Sequence, residues 1–292
     1  MKGLILLHKP KGITSFEALG LIKQKLKTGR VGHAGTLDCF ATGLLLVLVG
    51  DYTRLISLFQ NEEKEYEALI EFGRTTTTLD PEGEITETGP LPALKDLMEI
   101  SKDFCGELDQ VPPLYSAIQI NGRRASELAR QGHQPQLKSR RIKISLLELV
   151  AYQPPYASLR IVCSKGTYIR ALARDLALAL QTKAYVKELE RTRIGAFHLK
   201  QAVKIEEFDI TKDIWPATSF LTRLKACHLL VIKEEFRRLV GQGQRLKSHY
   251  FTSNPQPGLN AVLDPKGELL AVIEVRQEGS SYLAVFNNKG LL

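Results

Sequence analysis

The sequence predicts an α+β protein in which one large domain is followed by a small one. Three observations carry that reading. The 292 residues exceed the length of an average single domain and can bury a substantial core. Two amphipathic helical stripes stand among short strand-like runs in the first two thirds of the chain. Beyond Trp215-Pro216 the texture changes to short strands punctuated by turn residues, which places a β-rich unit from about residue 220.

The elements follow in order. Gly3 to Leu7 reads as a short buried strand, ended by the turn Lys9-Pro10-Lys11-Gly12. A helix comes next, because Thr14 and Glu17 have capping-box spacing and Phe16, Leu19, Ile22 and Leu26 recur as its apolar stripe. From Gly29 to Gly43 the glycines at 29, 32, 35 and 43 break any period, so a loop precedes the apolar stretch Leu44 to Val49. Tyr66 to Gly73 alternates as a strand, with Tyr66, Ala68, Ile70 and Phe72 on one face and Glu67 and Glu71 on the other; Arg74 to Gly83 reads as a polar turn. Ser158 to Cys163 is another strand, and Ser164-Lys165-Gly166 turns it into a helix capped by Thr167, with Ile169, Leu172, Leu176 and Leu180 as its stripe. Asp264-Pro265-Lys266-Gly267 joins Ala261–Leu263 to Glu268–Val275 as a hairpin, and Tyr282 to Phe286 adds a strand.

Composition narrows the function classes. Hydrophobic residues at 43% and charged residues at 25% are near globular averages and suggest neither a disordered nor a fibrous chain. The longest apolar run, Leu44 to Val49, is far short of the roughly 18 residues a membrane helix needs, and no signal-peptide pattern opens the chain. A cytoplasmic protein is expected. The balance of 40 Lys and Arg against 32 Asp and Glu gives a net charge of +8, which suits a polyanionic partner. The excess is clustered: Lys23, Lys25, Lys27 and Arg30; Arg123 and Arg124; Lys138, Arg140, Arg141 and Lys143. Cys39, Cys105, Cys163 and Cys227 form no C-x-x-C pair and the six histidines no H-x-x-x-H face, so free thiols and no bound metal are expected.

Two features point to chemistry. In Gly32-His33-Ala34-Gly35-Thr36-Leu37-Asp38 small residues let the backbone turn tightly while a carboxylate and an imidazole project from a short loop. Neither phosphate-cradling glycine motif occurs in the chain. Arg170 falls in the first turn of its helix, where a cation opposes the macrodipole at a cost of a few tenths of a kcal/mol, so an anionic partner is expected beside it.

Gly32 to Asp38, followed by Ala41-Thr42-Gly43, closely resembles the catalytic motif of the TruB family, the tRNA pseudouridine-55 synthases. Four further segments match in the same order: Leu6 to Gly12, Lys64 to Tyr66, Pro112 to Ala117 with Gly122, and Cys163 to Arg170. The chain departs from the family pattern at Cys39-Phe40, His8, Gln119 and Glu190, none of which carries the chemistry. The resemblance implies a pseudouridine-synthase catalytic domain over 1–219, with a mixed, largely antiparallel sheet and an RNA-clamping insertion at about 121–141. A small β-rich PUA-like RNA-binding domain would occupy 220–292.

The implied reaction breaks the bond between uridine N1 and its sugar, turns the trapped base and rejoins it through C5, without cofactor. The resemblance makes Asp38 the essential carboxylate and leaves open whether it attacks the sugar or takes a proton from it. It pairs Arg170 with Asp38, stacks Tyr66 on the flipped base and sets Leu189 against the base's other side. Lys9 would support the site, His33 meet RNA at the displaced base, and Tyr168 orient the Arg170 side. Arg123, Arg124, Arg140 and Arg141 would touch the T-arm of tRNA. A monomer with no membrane partner is expected. The rival readings are a non-catalytic RNA-binding or RNA-folding protein, and a hydrolase needing a second carboxylate.

Overall fold

The computed structural model describes residues 1–133, 135–225 and 227–286. Its main sheet contains the strands β1 (Gly3–Lys9), β2 (Val31–His33), β3 (Thr42–Val49), β4 (Lys64–Phe72), β5 (Gly106–Gln110), β6 (Arg140–Gln153), β7 (Tyr156–Cys163) and β8 (Ala184–Ile194). Three helices pack on it: α1 (Ser15–Leu26), α2 (Leu94–Asp103) and α3 (Ile169–Ala179). The spatial order is β1-β3-β8-β4-β7-β6-β5, with β2 beside β3. Every pairing among these is antiparallel except β3 with β8, where Glu190 faces Thr42 and Arg191 faces Gly43. That parallel seam joins β8 to the residues that follow the Asp38 loop.

The apolar alternation decides which face is covered. Tyr66, Ala68, Ile70 and Phe72 of β4 share one core with Ile144, Leu159, Val186 and the inner face of α3. A second core holds α1 through Ala18, Leu19, Ile22 and Leu26 against Ile5, Leu45 and Val47. Thr14 caps α1 as expected: its hydroxyl accepts from the Glu17 amide, and the Glu17 carboxylate accepts from the Thr14 amide.

Two local expectations are corrected. Phe16 is 76% exposed rather than part of the stripe, because Ala18 fills the core position at that end of the helix. Thr167 does not cap α3; its hydroxyl donates to Ser164 O, and Tyr168 stands at the N-cap with its amide donating to Gln110 Oε1.

After the short helix Ala217–Leu221 the chain builds a second sheet: β9 (Cys227–Val231), β10 (Gly258–Leu263), β11 (Leu269–Arg276) and β12 (Gly279–Val285). β9 and β10 pair in parallel, and the other neighbours are antiparallel. A shared apolar cluster fastens this sheet to the first, with Tyr52 edge-on to Phe220 at 5.8 Å and to Phe286 at 5.3 Å. Each such aromatic pair contributes about 0.5–1.5 kcal/mol beyond its area.

Candidate active site

The loop between β2 and β3 carries Asp38 to one wall of a cleft of about 750 Å³. Asp38 is the one carboxylate among the residues lining that cleft, facing Lys64, Lys138, Arg140, Arg141, Lys165, Arg170 and Arg191. One acid among seven cations is an arrangement for a polyanion and for holding a single negative charge in place.

Arg170 is the hub. Its side chain is 4% exposed, and its guanidinium donates to Asp38 Oδ1 (3.0 Å), Asp80 Oδ2 (3.0 Å), Thr78 O (2.9 Å) and Tyr115 O (3.0 Å), with Nε 2.9 Å from Asp38 Oδ2. The anionic partner its helix position calls for is thus a pair of carboxylates. These contacts tie together α3, the Asp38 loop, residues 77–84 and the segment around Tyr115, using the planar fork that only arginine offers. The polar turn expected over 74–83 is shorter, because Arg74–Thr76 forms a strand paired with Ile85–Thr88. The Asp38 side chain stays 36% exposed, so an edge of its carboxylate remains open to the cleft. Burial pushes the Asp38 carboxyl above the usual carboxylate range; Arg170 pulls it down, while Asp80 and Glu82 push it further up.

Asp80 is a site residue that the polar-turn reading passed over. It is 2% exposed, held by Thr76 and Thr78, and closes the far side of Arg170 without reaching the cleft. Arg191 is the second. It is 1% exposed and donates to Leu44 O (2.8 Å), Gly35 O (3.0 Å) and Thr36 O (3.4 Å), so it grips the carbonyls of the loop that ends in Asp38. Gly43 lets the strands close on this grip: its φ is +109°, and a Cβ there would stand 2.4 Å from Arg191 O.

The β4–β8 register sets one wall of the cleft. Arg191 lies opposite Tyr66 and Leu189 opposite Ala68, so Tyr66, Leu189 and Arg191 emerge on one face, and all three line the cleft. Burial raises the Tyr66 phenol's pKa, leaving it protonated at neutral pH. Ser116 Oγ, on the same cleft, is buried without a hydrogen-bond partner among the described residues.

The other candidate residues divide. Tyr168 lines the cleft with the Arg140 guanidinium 5.6 Å from its ring centre, and Arg141 lines it while pairing with Glu107 and Asp109 on the exposed side. Lys9 is fully buried: its ammonium donates to Pro10 O (2.8 Å), Ile13 O (2.7 Å) and Cys39 O (3.4 Å), bracing the residue after Asp38 instead of facing the cleft. Burial lowers its pKa to about 8. His33 pairs opposite Val47 outside the cleft, and burial followed by Arg191 lowers its pKa, so the ring is neutral at pH 7. Arg123 and Arg124 sit exposed on a two-residue hairpin strand that does not reach the cleft.

Comparison with solved structures gives the class. A chain of an H/ACA ribonucleoprotein bound to a substrate RNA containing 2′-deoxyuridine superposes with a TM-score of 0.73 at 24% identity, covering 99% of this chain and 86% of that one. A chain from a Cbf5-Nop10-Gar1 complex gives 0.70 at 25% identity, covering 99% and 85%. The fold is that of the pseudouridine synthases. Residues 23–169 match the N-terminal domain model of the TruB family pseudouridylate synthases, and residues 170–227 match the tRNA pseudouridylate synthase B C-terminal domain. A tRNA pseudouridine synthase B from Borreliella afzelii is 40% identical over 93% of this chain and 94% of its own length; one from Clostridium tetani is 36% identical over 85% and 86%. The chain belongs to the TruB family of pseudouridylate synthases, enzymes of the isomerase class.

Proposed function

We propose that this enzyme converts uridine to pseudouridine at position 55 in the T-loop of tRNA, without cofactor and with Asp38 as the reacting carboxylate. One observation carries the reading: a single open carboxylate, gripped at both oxygens by a buried arginine, stands in a cationic cleft lined by Tyr66 and Leu189. The target uridine must leave its stack to enter, and an aromatic ring against the base offsets part of that cost. In this reading Tyr66 stacks on one face of the base and Leu189 lies against its other side. A carboxylate with a raised pKa is more basic than free aspartate, which suits it to bond to the sugar or to take its proton. Bracketing keeps the released base in the cleft until C5 replaces N1.

The hydrolase alternative needs a second carboxylate to activate water. Asp80 is turned away behind Arg170, which favours isomerisation. The reading extends to a monomer acting in the cytoplasm on the T-arm, with the chain divided near residue 220 and the second sheet serving as a PUA-like RNA-binding domain. Among the described residues no helix is long and apolar enough to cross a membrane, and no group of His, Cys, Asp and Glu is arranged for a metal ion. Incubation with an unmodified tRNA transcript and no cofactor tests the activity: pseudouridine at position 55 is expected, whereas released uracil or unchanged RNA would overturn it. Sedimentation with and without a T-arm hairpin tests the monomer.

A further inference from the structure

The basic cluster of α1 is not part of the cleft, and its four cations separate by what holds them. Lys25 donates to Ile205 O (2.6 Å) and Glu206 O (3.1 Å), and Arg30 pairs with Asp51. Lys23 instead holds its ammonium 5.8 Å from the centre of the Phe16 ring. Lys27, at the left-handed C-cap, extends into solvent. On a helix of 3.6 residues per turn, Phe16, Gly20, Lys23 and Lys27 fall within about 60° of one another. Between ring and lysines the helix is bare: nothing lies within 4 Å of where a Gly20 Cβ would stand. Glycine weakens a helix interior relative to alanine, and no close packing requires it here.

This strip is rigidly registered to the Asp38 loop. Ser15 Oγ donates to Leu37 O (3.0 Å) and accepts from the Leu37 amide (2.8 Å), and the Gly12 amide donates to Cys39 O (2.9 Å). Phe16 therefore stands one residue from a direct contact with the residue preceding Asp38. An exposed aromatic ring, a bare helix turn and two available cations, fixed beside the catalytic loop, match single-stranded nucleic acid: the ring offers a platform to an unstacked base and the lysines meet phosphates.

We propose that the Phe16–Gly20–Lys23–Lys27 strip binds the RNA strand adjoining the target uridine, with Phe16 stacking on a neighbouring loop base. The inference rests on the tRNA reading above and adds a contact outside the cleft. Its test is the affinity of the full chain for a T-arm hairpin, beside pseudouridine formation by the wild type. Phe16→Ala should weaken binding about 5-fold or more. Replacing Lys23 and Lys27 together by Gln should reduce the slope of log affinity against log salt by about 1.5. Gly20→Gln, which improves helix propensity and so cannot act by unfolding α1, should also weaken binding by covering the bare turn. Leu21→Ala, on another flank of the helix and 41% exposed, should leave affinity unchanged. If Phe16→Ala, Gly20→Gln and the lysine pair all bind the hairpin with wild-type affinity and salt slope, the strip is no RNA contact. A wild type that makes no pseudouridine, with the strip variants still weakened, would sink the activity reading and leave the contact standing.

Discussion

Arg170 and Arg191 are sealed inside the cleft wall, while Lys138, Arg140 and Arg141 stand on its rim, and the two sets of cations are held in different ways. The inner pair is nearly inaccessible, with donors committed to carboxylates and main-chain carbonyls. On the rim, Arg140 leans over the Tyr168 ring and Arg141 makes exposed pairs worth about 0–1 kcal/mol at most. The inner charges therefore fix geometry and the outer ones remain available to phosphates. Each side chain carries the same formal charge in both sets. On the proposed reading, burial and partner count separate the charges that serve chemistry from those that serve affinity.

The largest effect should come from Asp38. Asp38→Asn keeps the shape of the carboxylate and removes its charge, so single-turnover pseudouridine formation should fall by at least about a thousandfold. RNA affinity should stay close to wild type, because on the proposed reading many contacts hold the RNA and one group does the chemistry. Turnover within tenfold of wild type would remove Asp38 from its role.

Arg170 should come next. Arg170→Lys preserves charge but cannot span Asp38, Asp80 and two carbonyls, so a loss of about a hundredfold in rate is expected despite the conserved charge. Arg170→Ala leaves Asp80 buried and unpaired at a cost of about 3–5 kcal/mol, so thermal unfolding must be recorded beside the rate. In a double-mutant cycle with Asp38→Asn the two losses should not multiply. Independent losses would reassign Arg170 to phosphate binding.

The rim should respond differently. Replacing Lys138, Arg140 and Arg141 by Glu should flatten the decline of tRNA affinity with salt while leaving the saturated single-turnover rate within a few-fold of wild type. Identical salt slopes in binding isotherms would take this segment out of the interface and erase the distinction between rim and interior.

Much of the frame is legible in the sequence. The capping box of Thr14 and Glu17, the β4 alternation and the strand-turn-helix delivering Arg170 are local patterns, and local patterns survive folding. Asp80 is different: within Thr76-Thr77-Thr78-Leu79-Asp80 a carboxylate reads as turn chemistry, and only a cation 90 residues away makes it a buried partner. Arg191 is hidden likewise, in the charged run Glu190-Arg191-Thr192-Arg193, where strand alternation does not say that one arginine turns inward to main-chain carbonyls. Phe16 fails for the opposite reason. Its spacing fits the apolar stripe, but a helical period cannot show that Ser15 and Ala18, rather than Phe16, face the core.

The smallest effect concerns proton affinity and probes the inner set alone. Burial, Asp80 and Glu82 raise the Asp38 pKa and Arg170 lowers it, so the acid limb of kcat/KM, which reports the free enzyme, should lie above the ordinary aspartate range. Activity needs the ionised form and is lost as pH falls through that limb. Asp80→Asn removes a like charge and leaves Arg170 with one fewer competing carboxylate; both changes favour ionised Asp38, so the limb should move to lower pH. Arg170→Gln removes the main cation pulling the other way, and the limb should move up. Stability carries the linked sign: because the folded state holds the Asp38 proton more tightly than the unfolded chain, the cost of ionising it is present above the raised pKa and relieved as pH falls through it. Opposite displacements of the limb in the two variants, read from pH profiles of kcat/KM, would mark Asp38 as the titrating group. Displacements of the same sign, or none, would assign the limb to another residue.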